Sequence, residues 1–346
     1  MLQQTESHPY ASLLISAYNE QTFIEDKILN SLQLNYPKTQ LEVMVVSDGS
    51  DDRTDEIVRS YERQGIVLQR FEGRIGKTAC LNKAVSLARG EIIIFSDANA
   101  QYDQNAVKEL TKHFSDSKIG FVTGHTKYIG EQNDKVKQSV GIYSKLERFA
   151  KNSESKIGSC VGADGAIFAI RKILYKELSS QDINDLVIPF HILKQGFRGI
   201  LEQRAFCFEK APKGISAEFS RQVRIANRTI RAILNNFQLA NPFHYGLFAW
   251  QLLSHKLLKL LVPFFLLILL MTSLFLSSDK PFYFLVFMGQ IITYLLALIG
   301  FVQYKLLKSS KLTSIATTFT VANLAILTGW MTYLRGDKNI TWKVSR

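Results

Sequence analysis

The stretch Glu91–Ala100 reads EIIIFSDANA. Its run of isoleucine and phenylalanine suits a strand buried on both faces, and an acidic residue stands where that strand ends. A carboxylate at the end of a buried strand costs desolvation unless a cation pairs with it. Outward from this stretch, Ser12–Ala17 (SLLISA), Glu42–Ser47 (EVMVVS) and Ile66–Gln69 (IVLQ) are further short apolar runs that end in polar residues. Helical patterns over Gln21–Leu32, Thr54–Gln64 and Thr78–Arg89 lie between them. Strands alternating with helices predict an α/β fold with a mostly parallel sheet covered on both faces. In such sheets ligands bind beyond the carboxyl ends of the strands.

Polar signatures fall at those ends. Tyr18-Asn19-Glu20 follows the first run. Tyr18 can stack on a base and Glu20 can accept from a ribose hydroxyl; helix capping by Asn19 or Glu20 is the competing reading. Asp48-Gly49-Ser50 follows the second run, with Gly49 permitting a sharp turn and Asp48 able to accept from a base edge. Ser50 or Asp51 can equally cap the next helix. Gly73–Thr78 (GRIGKT) invites a P-loop reading, but the first glycine of that motif would fall on Phe71, so the spacing fails. Lys77 remains a point charge for a phosphate. Asp97-Ala98-Asn99 offers oxygen ligands to a hard divalent cation, or a turn that caps the following helix.

The 346 residues carry a formal net charge of +12 and are 47% hydrophobic. Charges of both signs are dense up to about Arg231, whereas acidic residues almost vanish from Leu257 to Leu334. Leu257–Leu276, Pro281–Phe301 and Leu312–Leu334 are each about the length a spanning helix needs. Cations flank them: Lys256 and Lys259 before the first, Lys305, Lys308 and Lys311 between the last two. The basic balance therefore points to a bilayer and not to nucleic acid. Phe243–Lys259 mixes aromatics with histidine and lysine and reads as an interfacial helix leading into lipid. The three cysteines, Cys80, Cys160 and Cys207, are far apart with no metal-ligand spacing, which fits small core thiols in a reducing compartment. The polar start MLQQTESHPYAS lacks the apolar segment of a cleavable signal peptide.

Two more signatures complete an ordered set: GADGAIFAIRK at Gly162–Lys172 and INDLVIP at Ile183–Pro189. Together the set resembles the family 2 glycosyltransferases, whose fold is GT-A, a Rossmann-like, mostly parallel α/β sheet. It is similar above all to the membrane-bound bacterial branch of cellulose, poly-N-acetylglucosamine and hyaluronan synthases. The resemblance covers about Tyr10–Arg224, and the apolar tail in outline. It implies a cytosolic catalytic domain over 1–215, amphipathic interfacial helices over 216–256, about three transmembrane helices over 257–334 and a basic tail over 335–346.

By the same resemblance, Tyr18 and Glu20 would contact the base and ribose of a UDP-sugar, Asp48 would read the uracil and Lys77 would lie near the nucleotide. Asp97 and Asn99 would form the element that holds Mg²⁺ or Mn²⁺, Asn99 replacing a second aspartate. Asp164 would approach the acceptor, and Asp185 would be the catalytic general base, with Asp182 as fallback. Arg221-Gln222-Val223-Arg224-Ile225 matches the Gln-x-x-Arg-Trp element of polymerising members. Arg224 would hold the leaving diphosphate, and Arg221 would contact acceptor. Arg221 and Ile225 replace the glutamine and the tryptophan, which counts against processive synthesis. A cationic amphipathic helix on lipid headgroups is the competing reading of this stretch.

The implied reaction is an inverting, metal-dependent transfer of a sugar from a nucleotide sugar to a glycan or lipid-linked acceptor. It would serve exopolysaccharide or another surface glycan, in the bacterial plasma membrane, with the site cytoplasmic and other polysaccharide-assembly proteins as partners. Single-sugar transfer to a polyprenyl-linked acceptor is the nearest alternative. A non-catalytic, membrane-anchored nucleotide-binding module is another. Three passes would place the basic tail outside, against the positive-inside tendency, so a re-entrant first segment stays open.

Overall fold

The computed structural model describes residues 8–129, 135–210, 215–305 and 310–337. The polar start through residue 7, Lys308 and the basic tail from 338 onward lie outside the described residues.

Among the described residues eight strands form one sheet: β1 (Ala11–Ala17), β2 (Leu41–Ser47), β3 (Ile66–Arg70), β4 (Ile92–Asp97), β5 (Gln101–Tyr102), β6 (Ile119–Ile129), β7 (Ile167–Arg171) and β8 (Arg198–Lys210). Their order is β3-β2-β1-β4-β7-β6-β8-β5. The half predicted from the apolar runs is parallel: β1 pairs with β2 and β4, and β2 pairs with β3. β1 is buried along its whole length, as a strand covered on both faces must be. Around it pack α1 (Ile24–Leu32), α2 (Thr54–Arg59), α3 (Lys77–Leu87) and α4 (Ala106–Thr111). The other half is mixed, with β7 antiparallel to both β4 and β6 and β8 parallel to β6. α5 (Lys135–Ile157) and α6 (Asn184–Lys194) belong to this half.

Strand register explains why the polar signatures meet. Ala17 lies beside Ser47, and Ser16 beside Asp97. The segments following β1, β2 and β4 therefore leave the sheet at one edge. β1 runs outward to β2 and β3 on one side, while β4 lies on its other side; ligands of doubly wound sheets bind at such a reversal of strand order. Because β7 is antiparallel to β4, Ile167 pairs with Ser96, and the Gly162–Gly165 loop before β7 arrives at the same edge. β8 runs beside β6 to a last pair, Ile129 with Lys210, which brings Glu209 beside Tyr128.

Beyond the sheet come α7 (Ile215–Asn235), α8 (Pro242–Tyr245), α9 (Leu247–Leu252), α10 (Leu258–Phe275), α11 (Pro281–Lys305) and α12 (Lys311–Leu334). A π-turn at Leu253–Leu257 joins α9 to α10. The interfacial segment and the first apolar run are thus one helix, Leu247–Phe275, and not two elements. This helix, Pro281–Gln303 and Leu312–Leu334 are long and apolar enough to cross a membrane. Exposed Phe275, Leu285, Leu298 and Leu334 suit lipid better than water. The third apolar helix is tied to the first, since Trp330 Nε1 donates to the Leu260 carbonyl at 3.0 Å.

The arginine-rich α7 packs along α12. Asn227 Nδ2 donates to Thr332 Oγ1 at 3.0 Å, and the Arg231 guanidinium lies 5.1 Å from the Tyr333 ring centre. The space is tight at Gly329, where a Cβ would stand 2.6 Å from the Ala226 Cβ. Sheet and apolar helices are therefore coupled through the helix that carries Arg221 and Arg224.

Candidate active site

The site begins with two bonds around Gly76. Asp48 is 2% exposed, and both its carboxylate oxygens accept from the Gly76 N–H at 3.0 Å, while Cys80 Sγ donates to Oδ1 at 3.3 Å. The sequence reading turned Asp48 toward a base edge. In the structure its carboxylate faces inward and holds the Gly73–Gly76 loop, because a buried carboxylate needs donors close by. That same bond occupies the N–H which a P-loop would offer to phosphate. Gly49, at φ +67°, makes the turn possible: a Cβ there would meet the Gly73 carbonyl oxygen at 2.9 Å. One residue on, Lys77 Nζ pairs with Asp97 Oδ1 at the end of β4. Asn99 follows in the same turn and is half-buried.

On the β1 side, Asn19 takes the left-handed region (φ 53°) and accepts from the Asp51 N–H at 3.0 Å through Oδ1. The Glu20 N–H donates to Thr54 Oγ1 at 2.8 Å. Asn19 is thus a turn residue and not the cap of α1, whose N-cap is Phe23 without a side-chain bond, and Tyr18 and Glu20 flank it. The Arg74 guanidinium lies over the Tyr18 ring, 4.0 Å from its centre.

Asp185 is positioned by a proline. Within α6, Pro189 has no N–H to give to the carbonyl four residues earlier, which is that of Asp185. That carbonyl accepts from the Ala163 N–H instead, at 2.7 Å, docking the Gly162–Gly165 loop onto the start of the helix. Gly165 leaves room for the carboxylate: a Cβ there would stand 3.1 Å from Asp185 Oδ2. Asp185 Oδ1 is buried without a hydrogen-bond partner among the described residues. Burial pushes the Asp185 carboxyl up to about 6, against the pull of Lys151, Lys77 and Lys256 and with Asp164 adding to the rise. An ionised but poorly solvated carboxylate of this kind is a competent general base near neutral pH.

Asp164 accepts from the Thr126 N–H (2.9 Å), Thr126 Oγ1 (3.0 Å) and the Ala166 N–H (3.2 Å), and burial raises its carboxyl too. Glu209, which the sequence reading passed over, completes the acidic group. Burial, then Asp97 and Asp164, push it up to about 8. Lys27 was also missed. It is fully buried in α1, donates to the Ala100 carbonyl at 2.5 Å behind the Asp97–Asn99 turn, and lies 3.8 Å from the Tyr102 ring centre. Its burial brings it down to about 7.

Opposite the carboxylates stand arginines of α7. Burial, then Arg228 and Arg221, push Arg224 down to about 10, with the charge of Asp97 opposing. Arg221 is held in a bidentate pair with Glu218 on its own helix, at 2.8 Å for both bonds. Arg224, disfavoured by burial and by its arginine neighbours, is the member of this group whose charge an anion would stabilise most.

Asp97, Asp164, Asp185, Lys77, Arg221 and Arg224 are thus brought within electrostatic reach of one another, and Asp48 joins them through Gly76. Asp182 lies on the flank, its carbonyl accepting from Thr78 Oγ1 at 3.1 Å. Among the described residues no group of three or more His, Cys, Asp or Glu side chains is arranged to hold a metal ion. A hard cation such as Mg²⁺ needs only one or two carboxylates when substrate phosphates and water supply the rest. Asp97, 37% exposed at its side chain and facing a cation already, fits that requirement. A surface cleft of about 790 Å³ beside Arg89, Lys112 and Arg171 lies elsewhere. Its cations are taken up by Glu42, Glu109, Glu202 and backbone carbonyls.

Residues 12–178 match the family model described as Glycosyl transferase family 2. The poly-beta-1,6-N-acetyl-D-glucosamine synthase of Staphylococcus aureus (strain COL) is 25% identical over 232 residues, covering 65% of this chain. The synthase of the same name from Staphylococcus epidermidis is similar to the same extent. The chain spans 56% of the length of these relatives. Among solved structures, the mannosyltransferase PcManGT from Pyrobaculum calidifontis, in complex with GDP-Man and Mn²⁺, superposes with a TM-score of 0.73 at 20% identity. That match covers 96% of this chain and 89% of the other, so the shared fold includes the apolar helices.

Proposed function

We propose, for a chain that carries a glycosyltransferase family 2 domain and is a glycosyltransferase, that it moves a sugar from a nucleotide diphosphate to an acceptor hydroxyl at the membrane surface, with inversion. The observation that carries this reading is the meeting of Asp97, Asp164, Asp185 and Glu209 with Lys77 and the α7 arginines at one sheet edge. Asp185 takes the proton of the acceptor hydroxyl. The oxygen bonds to the anomeric carbon, and the bond to the diphosphate breaks with its electron pair going to the leaving group. General-base help of this kind is worth about 10²–10⁴-fold in rate. Arg224 and Lys77 offset the charge on the diphosphate. Tyr18 and Glu20 serve base and ribose, with Asp48 shaping the uracil side of a UDP donor. Asp97, with Asn99, would hold Mg²⁺ or Mn²⁺, which supplies charge neutralisation at the diphosphate.

The catalytic domain would face the cytoplasm at the bacterial plasma membrane, with Leu247–Phe275, Pro281–Gln303 and Leu312–Leu334 as spans. Surface polysaccharide is the product class that the Staphylococcus relatives suggest. Addition of one sugar to a polyprenyl-linked acceptor is favoured over polymerisation by Ile225 and by the engagement of Arg221 with Glu218. The test is a donor panel of UDP- and GDP-sugars with acceptor lipids and Mn²⁺, scored for nucleotide release, product length and anomeric configuration. A single β-linked sugar from an α-linked donor supports the reading, and retained configuration overturns it.

A further inference from the structure

Lys27 takes no part in the reaction above, yet its side chain lies directly behind the Asp97–Asn99 turn. It is fully buried in α1. Taking an ammonium out of water is costly, and an apolar side chain of similar volume would fill the place without that cost. The ammonium must therefore supply something that packing does not. Nζ donates to the Ala100 carbonyl at 2.5 Å and lies 3.8 Å from the centre of the Tyr102 ring. Asp97 and Glu209 favour its charge from farther off. One turn along α1, Asn30 grips the same segment: Nδ2 donates to the Tyr102 carbonyl at 2.9 Å, and Oδ1 accepts from the Tyr102 N–H at 2.8 Å.

The segment so held carries the turn. Ala98, Asn99 and Ala100 alone separate β4 from β5, so a shift at Ala100 passes to Asn99. The Ala100 N–H closes the turn on the Asp97 carbonyl at 3.2 Å. The Tyr102 hydroxyl lies 3.0 Å from the Phe95 carbonyl oxygen, which ties the segment back to β4. Ala98 and Ala100 are buried, whereas the Asp97 side chain is 37% exposed. The backbone is thus gripped from behind and the carboxylate is left open in front. Where one carboxylate and one amide are offered to a hard cation, the backbone beneath them sets how well they meet its demanding geometry. Groups that orient a ligand in this way carry about 10–100-fold of metal affinity.

We propose that Lys27 is a positioning residue for the donor–metal site, its hydrogen bond to the Ala100 carbonyl fixing the backbone that presents Asp97 and Asn99. The inference rests on the reading of Asp97 and Asn99 as the residues that would hold Mg²⁺ or Mn²⁺. The experiment uses the full chain in detergent, with Mn²⁺ titrated by electron paramagnetic resonance in the presence of UDP and, separately, of GDP. Lys27→Met should weaken Mn²⁺ binding by about 10–100-fold while melting no lower than the wild type, since the buried charge is gone. Lys27→Arg, which keeps a cationic donor, should bind Mn²⁺ with an affinity between the two. Asn30→Ala, which frees Tyr102 and leaves the ammonium in place, should weaken Mn²⁺ binding by about threefold.

Wild-type Mn²⁺ affinity in Lys27→Met overturns the proposal. So does a loss of affinity that comes with a lower melting temperature, which would make Lys27 a support of the fold alone. Should Lys27→Met fail to fold, Lys27→Arg and Asn30→Ala decide. Unchanged Mn²⁺ affinity in both overturns the proposal, and weaker binding in either, by protein still folded at the assay temperature, supports it. Wild-type protein that binds no Mn²⁺ with either nucleotide refutes the metal reading and this inference together. Wild-type binding that is indifferent to Lys27→Met refutes this inference alone.

Discussion

As the proposed general base, Asp185 would meet two opposed demands: its carboxylate would have to be ionised to take a proton, yet its surroundings favour the protonated form. Its native pKa of about 6 lies above the unfolded value of about 3.9. The folded chain therefore binds more protons between these values, and stability falls as pH rises from about 4 to about 6. Above that window the ionised carboxylate costs on the order of 2–3 kcal/mol. Asp185→Asn should accordingly melt higher at pH 7 in a thermal scan while losing transfer by about 10²–10⁴-fold. Unchanged turnover in that variant would remove Asp185 from the reaction. For the wild type, the rate of transfer should drop as pH falls below about 6, measured as kcat against pH. Asp97 was legible in the sequence because it ends a recognisable strand, whereas Asp185 entered only through the family resemblance. Glu209 and Lys27 were not legible. Glu209 reaches the site only through the pairing of β8 with β6, and Lys27 sits in a helix whose pattern says nothing of what lies above it.

At the scale of elements, α6 shows a local rule broken to a purpose. Pro189 deprives the helix of a bond and thereby frees the Asp185 carbonyl for Ala163. Pro189→Ala would let the helix reclaim that carbonyl. The expected result is a chain at least as stable thermally, with kcat lower by about fivefold, the worth of one backbone hydrogen bond of about 1 kcal/mol. Gly49→Ala should act oppositely. The added Cβ would collide with the Gly73 carbonyl in a backbone region that alanine avoids, costing about 1–3 kcal/mol. Weaker donor binding and a lower melting temperature should appear together. The parallel half of the sheet was legible because its strands are uniformly apolar and regularly spaced by helices. The antiparallel entry of β7 was not, since nothing in IFAIR encodes the direction of its neighbours.

For the whole molecule, the sequence separated a charged soluble region from an apolar one but left their junction open. Two features closed it. The π-turn fuses the interfacial segment with the first apolar helix, and α7 lies along α12 through Ala226 and Gly329. Small residues at such a contact carry no period that a sequence reading can detect. Gly329→Leu should wedge α7 away from α12 at a cost of about 1–3 kcal/mol. Reduced transfer by protein that still extracts with the membrane fraction would confirm the coupling. Wild-type kinetics would show that the arginines need no support from the apolar helices. The central claim, a glycosyl transfer centred on the carboxylates and cations of one sheet edge, is tested most directly by nucleotide release. Full-length protein in lipid nanodiscs would be given a panel of UDP- and GDP-sugars with Mn²⁺, before and after EDTA. The account predicts release from at least one donor, abolished by EDTA and by Asp97→Asn. No release from any donor, or release indifferent to both EDTA and Asp97→Asn, would contradict it.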